Sequence, residues 1–301
     1  MPICPKPLLA SLLAGLTLPA CSASLAENPS PTARGAAQWT STCKDWDEWN
    51  KPGPPYRIYG NTWYVGTCGI SAILIESDAG HVLIDTGPQD AVEAVLSNVR
   101  KIGLDPKDIR VLLVSHEHHD HIGGAAQVLH ETGARLLATE VQAAALLRGN
   151  VADDDPQHGI HPDMQPVGAS TVIDEGSPVE LGDLRLTLIP TPGHTSGAAS
   201  WQWQSCEEKD CRTVVYADSL TPVSSDSYRF SDHPDYVAAF RKGIERVAGL
   251  QCDILLTPHP SASKMRDRLA TGSLAGGMRC SDYAKGVEAR LDARLAEERV
   301  K

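Results

Sequence analysis

No apolar stretch in this chain is long enough to cross a bilayer, no two cysteines stand in a C-x-x-C spacing, and basic residues are few beside acidic ones. Each shortage removes a class of function. The apolar run Leu8–Leu18 has eleven residues where a spanning helix needs about 20, so a membrane bundle is excluded. With 27 Lys and Arg against 38 Asp and Glu, the formal charge of −11 argues against nucleic acid or an anionic membrane as partner. The missing C-x-x-C weakens a zinc-finger reading, because such sites pair closely spaced thiolates. No residue-level repeat and no linker is visible. What remains, 42% hydrophobic and 22% charged over 301 residues, is an ordinary globular composition with enough apolar mass for a substantial core.

The first residues read as an export signal. Lys6 is the only charge before Glu27, and the short apolar run follows it. Two cleavage points compete. "SLA" at Ser24–Ala26 suits an ordinary signal peptidase and gives a signal over residues 1–26; "LPAC" at Leu18–Cys21 loosely resembles a lipoprotein box ending before Cys21, although its proline weakens that reading. Removing 1–26 leaves 26 basic and 38 acidic residues, a charge of −12. Residues 27–42, rich in Ser, Thr, Pro and Ala, are expected to be a flexible mature terminus, with order beginning near Cys43. Export to the periplasm also sets the meaning of the cysteines. Cys4 leaves with the signal and Cys21 is removed or lipidated, so Cys43, Cys68, Cys206, Cys211, Cys252 and Cys280 remain. An even number in an oxidising compartment reads as disulfides, and sequence alone allows fifteen pairings of six.

Patterning places β-rich runs at "TWYV", "SAILIES" and "HVLID" from Thr62, then a helix at about Gln89–Ile102 with Val92, Leu96 and Val99 on one face. The buried-strand run Ile109–Val114 ends directly on a histidine cluster. Helical segments follow near Gly124–Thr132 and Glu140–Leu147, then a polar loop, then strands at Leu184–Ile189, Ala198–Trp203 and Thr213–Tyr216. Two helices close the chain, one opening at "SDHPDY" and one carrying Tyr283, Val287, Leu291 and Leu295. A strand ending in a His-bearing turn occurs in both halves, which predicts two layered halves facing each other.

The cluster is "SHEHHDHIGG", Ser115–Gly124, with four histidines and two carboxylates between His116 and His121. If strand conformation persists past Ser115, His116 and His118 share a side and can reach one ion, while Glu117 and His119 turn to solvent or to outer contacts. Asp120 and His121 enter the "IGG" bend and can face a second ion. His194 in "TPGHTSG" and His259 in "LLTPHPSAS" stand in comparable turns after apolar runs. Three imidazoles with an open position make a catalytic zinc site, and Asp120, His121 and His259 make a second. The remaining histidines, His81, His130, His158, His161 and His233, read as packed or surface residues.

The spacing His116, His118, Asp120, His121 resembles the H-x-H-x-D-H signature of the metallo-β-lactamase superfamily, which lactonases, thioesterases and nucleases share. "YGNTWYVGT", "DDPQHG", "TPGHTSG", "YADSLTP" and "LLTPHPSAS" are similar in order and spacing to the third subclass of secreted metallo-β-lactamases, from about residue 43 to 301. The resemblance implies an αββα sandwich of two mixed sheets flanked by helices, with a dizinc site at one sheet edge. It implies two Zn²⁺ per chain, the first on His116, His118 and His194, the second on Asp120, His121 and His259. A zinc-activated hydroxide then opens the amide bond of penicillins, cephalosporins and carbapenems, and so confers antibiotic resistance, with Asp120, His118 and His194 catalytic. The resemblance implies that Ser219 and Thr221 hydrogen-bond the substrate carboxylate, and "DSLTPVSSDSY" contains no Lys or Arg to do so; Gln157 lies where relatives contact substrate or neighbouring side chains. The implied disulfides are Cys43–Cys68, Cys206–Cys211 and Cys252–Cys280, and the implied state is a monomer. Two rivals stand beside this reading: a lactonase or thioesterase of the same fold, in which Asp218 bridges the metals, and an exported zinc-binding protein without catalysis.

Overall fold

The computed structural model describes residues 31–168 and 170–300; the expected signal over 1–26 lies outside them. Two sheets carry the chain. The first has seven strands in sequence order: β1 (Tyr56–Tyr59), β2 (Thr62–Tyr64), β3 (Ile73–Ile75), β4 (His81–Ile84), β5 (Ile109–Leu113), β6 (Arg135–Ala138) and β7 (Thr171–Val172). Pairing is antiparallel through β4 and parallel from β4 to β7. The second has five: β8 (Pro178–Leu181), β9 (Leu184–Pro190), β10 (Ala199–Glu207), β11 (Asp210–Tyr216) and β12 (Ile254–Leu256), antiparallel except for the parallel pair β11–β12. The helices are α1 (Pro31–Thr42), α2 (Val92–Lys101), α3 (His119–Ile122), α4 (Ala125–Thr132), α5 (Glu140–Arg148), α6 (Pro234–Ala248), α7 (Met265–Ala270) and α8 (Cys280–Glu298).

Period-two alternation makes the layers. In β5, Val111 and Leu113 join Leu186, Trp201, Val214 and Tyr216 between the sheets, while Leu112 between them packs with Val95, Leu96 and Val99 of α2. On the far side, Val215 and Leu255 pack against Phe240 and Ile244 of α6 and Val287 and Leu291 of α8. The result is helices, sheet, sheet, helices, the αββα sandwich expected from the sequence. Among the described residues no helix is long and apolar enough to cross a membrane.

One expectation is corrected. The flexible terminus assigned to 27–42 is a helix over Pro31–Thr42, and residues 27–30 lie outside the described part. Its composition is poor in helix formers, but Trp39 is 1% exposed and packs edge-on to Tyr56 and Tyr64, so tertiary contact decides the conformation.

In the structure the sulfurs of Cys43 and Cys68, of Cys206 and Cys211, and of Cys252 and Cys280 lie at bonding distance. The last ties the segment before β12 to the start of α8, and β12 leads directly to His259. On the chain-entropy account this bridge contributes roughly 3–4 kcal/mol. A Cys252→Ser/Cys280→Ser variant is expected to lose that much in urea denaturation; an unchanged midpoint would reject the bridge as a stabilising element.

Candidate metal centre

β5 ends at Leu113, and the backbone bends through Ser115 before His118 (φ −76°, ψ 150°) caps the single turn of α3. The strand therefore does not continue through the histidines as the sequence reading supposed. The bend still sets His116 and His118 side by side, with ring centroids 4.9 Å apart and edge to face, and α3 turns Asp120 and His121 inward. His194 reaches the same spot from the loop after β9. That loop lies close against α6 because Gly193 has φ +155°, and a Cβ there would fall 2.2 Å from the Phe240 ring.

Each of these imidazoles is held by one nitrogen and offers the other. His116 Nδ1 is 2.7 Å from Asp218 Oδ1, and its Nε2 is buried without a partner. His118 Nε2 is 3.2 Å from Asp155 Oδ1, leaving Nδ1 to face the cluster. His194 Nδ1 is 2.9 Å from the Thr221 carbonyl, leaving Nε2. An acceptor on the outer nitrogen fixes that nitrogen as N–H and the inner one as a lone pair, which is how proteins orient metal-binding histidines. The inner atoms converge: His118 Nδ1 and His194 Nε2 are 3.2 Å apart, and His116, His118 and His194 form a group with all donor atoms within 4.8 Å. Burial, then the neighbouring imidazoles, holds His116 and His194 well below the usual histidine range, so both are neutral and able to bind a cation.

Beside this trio, Asp120 Oδ2 lies 3.0 Å from His121 Nε2 and 3.3 Å from His259 Nε2, and Asp120 Oδ1 is buried with no partner. Burial pushes the Asp120 carboxyl up, but His121 and His259 outweigh it and hold it well below the carboxylate range. His121, which burial alone would lower, is pushed up to about 10 by Asp120 and Asp85. A cation could take the place of that proton. Buried orphan donors, neutral imidazoles and one carboxylate form a set that fits a borderline-soft divalent ion such as zinc.

The supporting groups were not legible as such. Asp85, at φ +63°, accepts from Ser115 N, Ser115 Oγ and Tyr216 OH, all at 2.7 Å, and stands 3.6 Å from His121 Nδ1. Only the "DTG" after β4 hints at it. Asp218 lies behind His116, outside the converging donors, so the geometry opposes a bridging role. Glu117 is 2% exposed and accepts from Thr195 Oγ1 (2.7 Å) and Gly197 N (3.0 Å), pinning the His194 loop; of the two orientations open to it in sequence, it takes the inward one. His161, read as an ordinary packed or surface histidine, sits 4.8 Å ring to ring from His118, and burial holds it down at about 4.

The remaining expected residues, Ser219, Thr221 and Gln157, differ in their contacts. Ser219 is 2% exposed with an unpartnered Oγ. Thr221 Oγ1 is 3.0 Å from His194 Nδ1, so its hydroxyl already has a neighbour. Gln157 Nε2 points at His194 Nε2 (3.3 Å) and His118 Nδ1 (3.5 Å). Exposed Trp46 and half-exposed Trp49 form a rim, each with its ring about 6 Å from that of His259.

A model of the metallo-β-lactamase superfamily matches residues 65–259, which include every one of these candidate ligands. The chain belongs to that superfamily. Metallo-β-lactamase MIM-1 from Novosphingobium pentaromativorans is similar at 49% identity and TM-score 0.84, over 87% of this chain and 98% of that one. MEM-A1, a subclass B3 metallo-β-lactamase from a soil metagenome library, is similar at 38% identity and TM-score 0.81, over 84% and 99%. Curated relatives are more distant. Hydroxyacylglutathione hydrolase of Buchnera aphidicola subsp. Baizongia pistaciae is 24% identical over 131 residues, 43% of this chain and only 41% of that protein's length.

Proposed function

We propose that this metallo-β-lactamase family member is a periplasmic, dizinc hydrolase of β-lactam rings, of the B3 type, acting on penicillins, cephalosporins and carbapenems. The observation that carries the reading is the pair of adjoining donor sets, with His116, His118 and His194 each locked by an outer acceptor and Asp120 set between His121 and His259. When bound, the zinc ions supply a water acidified toward neutral pH and a Lewis acid for the carbonyl oxygen.

The chain's own groups do the rest. Asp120 carries the only negative charge in the donor sets, which leaves a strongly positive centre for an anionic substrate. Ser219 offers an unpaired buried hydroxyl to the substrate carboxylate. Thr221 divides its role between that carboxylate and the orientation of His194. Gln157 closes the side toward Asp155, to whose Oδ1 its backbone N–H donates a 2.7 Å bond. No covalent acyl step is required, so inhibitors that acylate a serine are expected to have no effect.

Ser219→Ala is expected to raise KM several-fold for carboxylate-bearing substrates with kcat little changed, because the contact is made before and during attack. Thr221→Val is expected to act differently, lowering metal occupancy as well, since it removes a hydroxyl 3.0 Å from His194 Nδ1. Identical KM effects with full occupancy in both variants would refute that division. The deciding assay is turnover of one penicillin, one cephalosporin and one carbapenem by the zinc-loaded protein. No turnover of any of them, with hydrolysis of a lactone or thioester instead, would select the other hydrolases of this fold.

A further inference from the structure

Next to the six donors stands a second pair of imidazoles that the proposed chemistry does not use. His119 Nδ1 and His161 Nδ1 face each other at 3.2 Å, on rings whose centroids are 5.0 Å apart. Two nitrogens each ~2.0–2.1 Å from a tetrahedral zinc stand roughly 3.3 Å apart, so the gap already has the span of a bidentate site. The tautomer agrees. His161 Nε2 is 3.2 Å from Gln157 Oε1, an obligate acceptor in the amide orientation described, which makes Nε2 the N–H and Nδ1 the lone pair.

The approach is open and acidic. His119 lines a cavity of about 440 Å³ with Asp47, Glu48 and Asp90, and a neighbouring cavity of about 520 Å³ with Asp90 and Asp163. The Trp49 ring covers both imidazoles, 5.7 Å from His119 and 6.3 Å from His161. We propose that His119 and His161 form an auxiliary site for a third divalent ion of the zinc, copper or nickel class at the mouth of the metal centre. Imidazole donors select these ions over calcium and magnesium, which prefer oxygen. Two protein donors leave the rest of the sphere to water, so the ion binds more weakly than ions held by three donors. An ion there narrows the entrance beside Trp49, and excess zinc competes with substrate.

The test is equilibrium dialysis of the zinc-loaded protein against zinc chloride up to about 1 mM, counting ions per chain, with substrate kinetics at each concentration. The expected result is one additional, weaker ion and an apparent KM that rises at least several-fold as it binds. Both are lost in His161→Phe and, as an independent variant on another element, in His119→Asn. Ions already held before the titration report on the donor sets of the proposed enzyme; only the additional ion reports on this pair. No additional ion in the wild-type protein, meaning an imidazole pair that is only hydrogen-bonded, overturns the proposal. So does an additional ion that persists in either variant.

Discussion

Asp120→Asn is expected to lower kcat for β-lactam hydrolysis by on the order of 100-fold and to release the second metal ion at chelator concentrations that leave the first in place. The size of the effect follows from where the carboxylate lies. One oxygen sits 3.0 Å from His121 Nε2 and 3.3 Å from His259 Nε2, and the other is buried with no protein partner. An amide keeps the shape but gives up the charge, and it replaces one acceptor oxygen with an NH₂ that only donates. His121 also loses the neighbour that counts most in raising it to about 10, while Asp85 stays 3.6 Å away on the other nitrogen. The first trio keeps its outer acceptors, Asp218, Asp155 and the Thr221 carbonyl, none of which touches Asp120 in the bonds described. Metal content after dialysis, read beside kcat and KM, checks the division. A variant that keeps both ions and full kcat would remove Asp120 from the second site and from the proposed mechanism.

That division shows which parts of the site the sequence could reveal. Donors crowd into "HEHHDH" because one bend and one helical turn must bring them together, so residue type and spacing expose them directly. Their outer partners come from far along the chain: Asp85 after β4, Asp155 in a polar loop and Asp218 after β11. Little that is local marks an aspartate that will meet a histidine 36 to 102 residues away. His161 was passed over for the same reason, since its link to His119 exists only once the 153–161 loop folds over α3. In the fold, long apolar runs such as Ile109–Val114 were readable as strands. β1 and β6, "YRIY" and "RLLA", were not singled out. Helix α1 went unseen because Trp39 is held by Tyr56 and Tyr64 of the first sheet, a contact its own composition does not announce.

Asp218 offers the sharpest separation between the proposed β-lactamase and its relatives of other chemistry. In the structure its Oδ1 lies 2.7 Å from His116 Nδ1, so it orients a donor from behind. Removing such an outer carboxylate typically costs 10–100-fold in metal affinity, and Asp218→Ala is expected to lose about that much at the first site alone. The backbone should keep its course without the side chain, because Tyr283 OH donates to the carbonyls of Asp218 and Ser219, and Asp218 N donates to Ser200 Oγ. Ser115 Oγ, 3.3 Å from His116 Nδ1, remains as a weaker acceptor, which is why the ring is not expected to leave the site altogether. A chelator-competition titration that resolves the two affinities makes the comparison. Were Asp218 a bridge between the ions, both affinities would fall together, and Asp218→Asn, which retains an acceptor oxygen, would rescue neither. With Asp218 behind His116, Asp218→Asn should recover part of the first-site affinity and the second ion should be unaffected throughout. Equal weakening of both ions would move Asp218 into the bridge and the substrate class with it, toward the lactones and thioesters considered above.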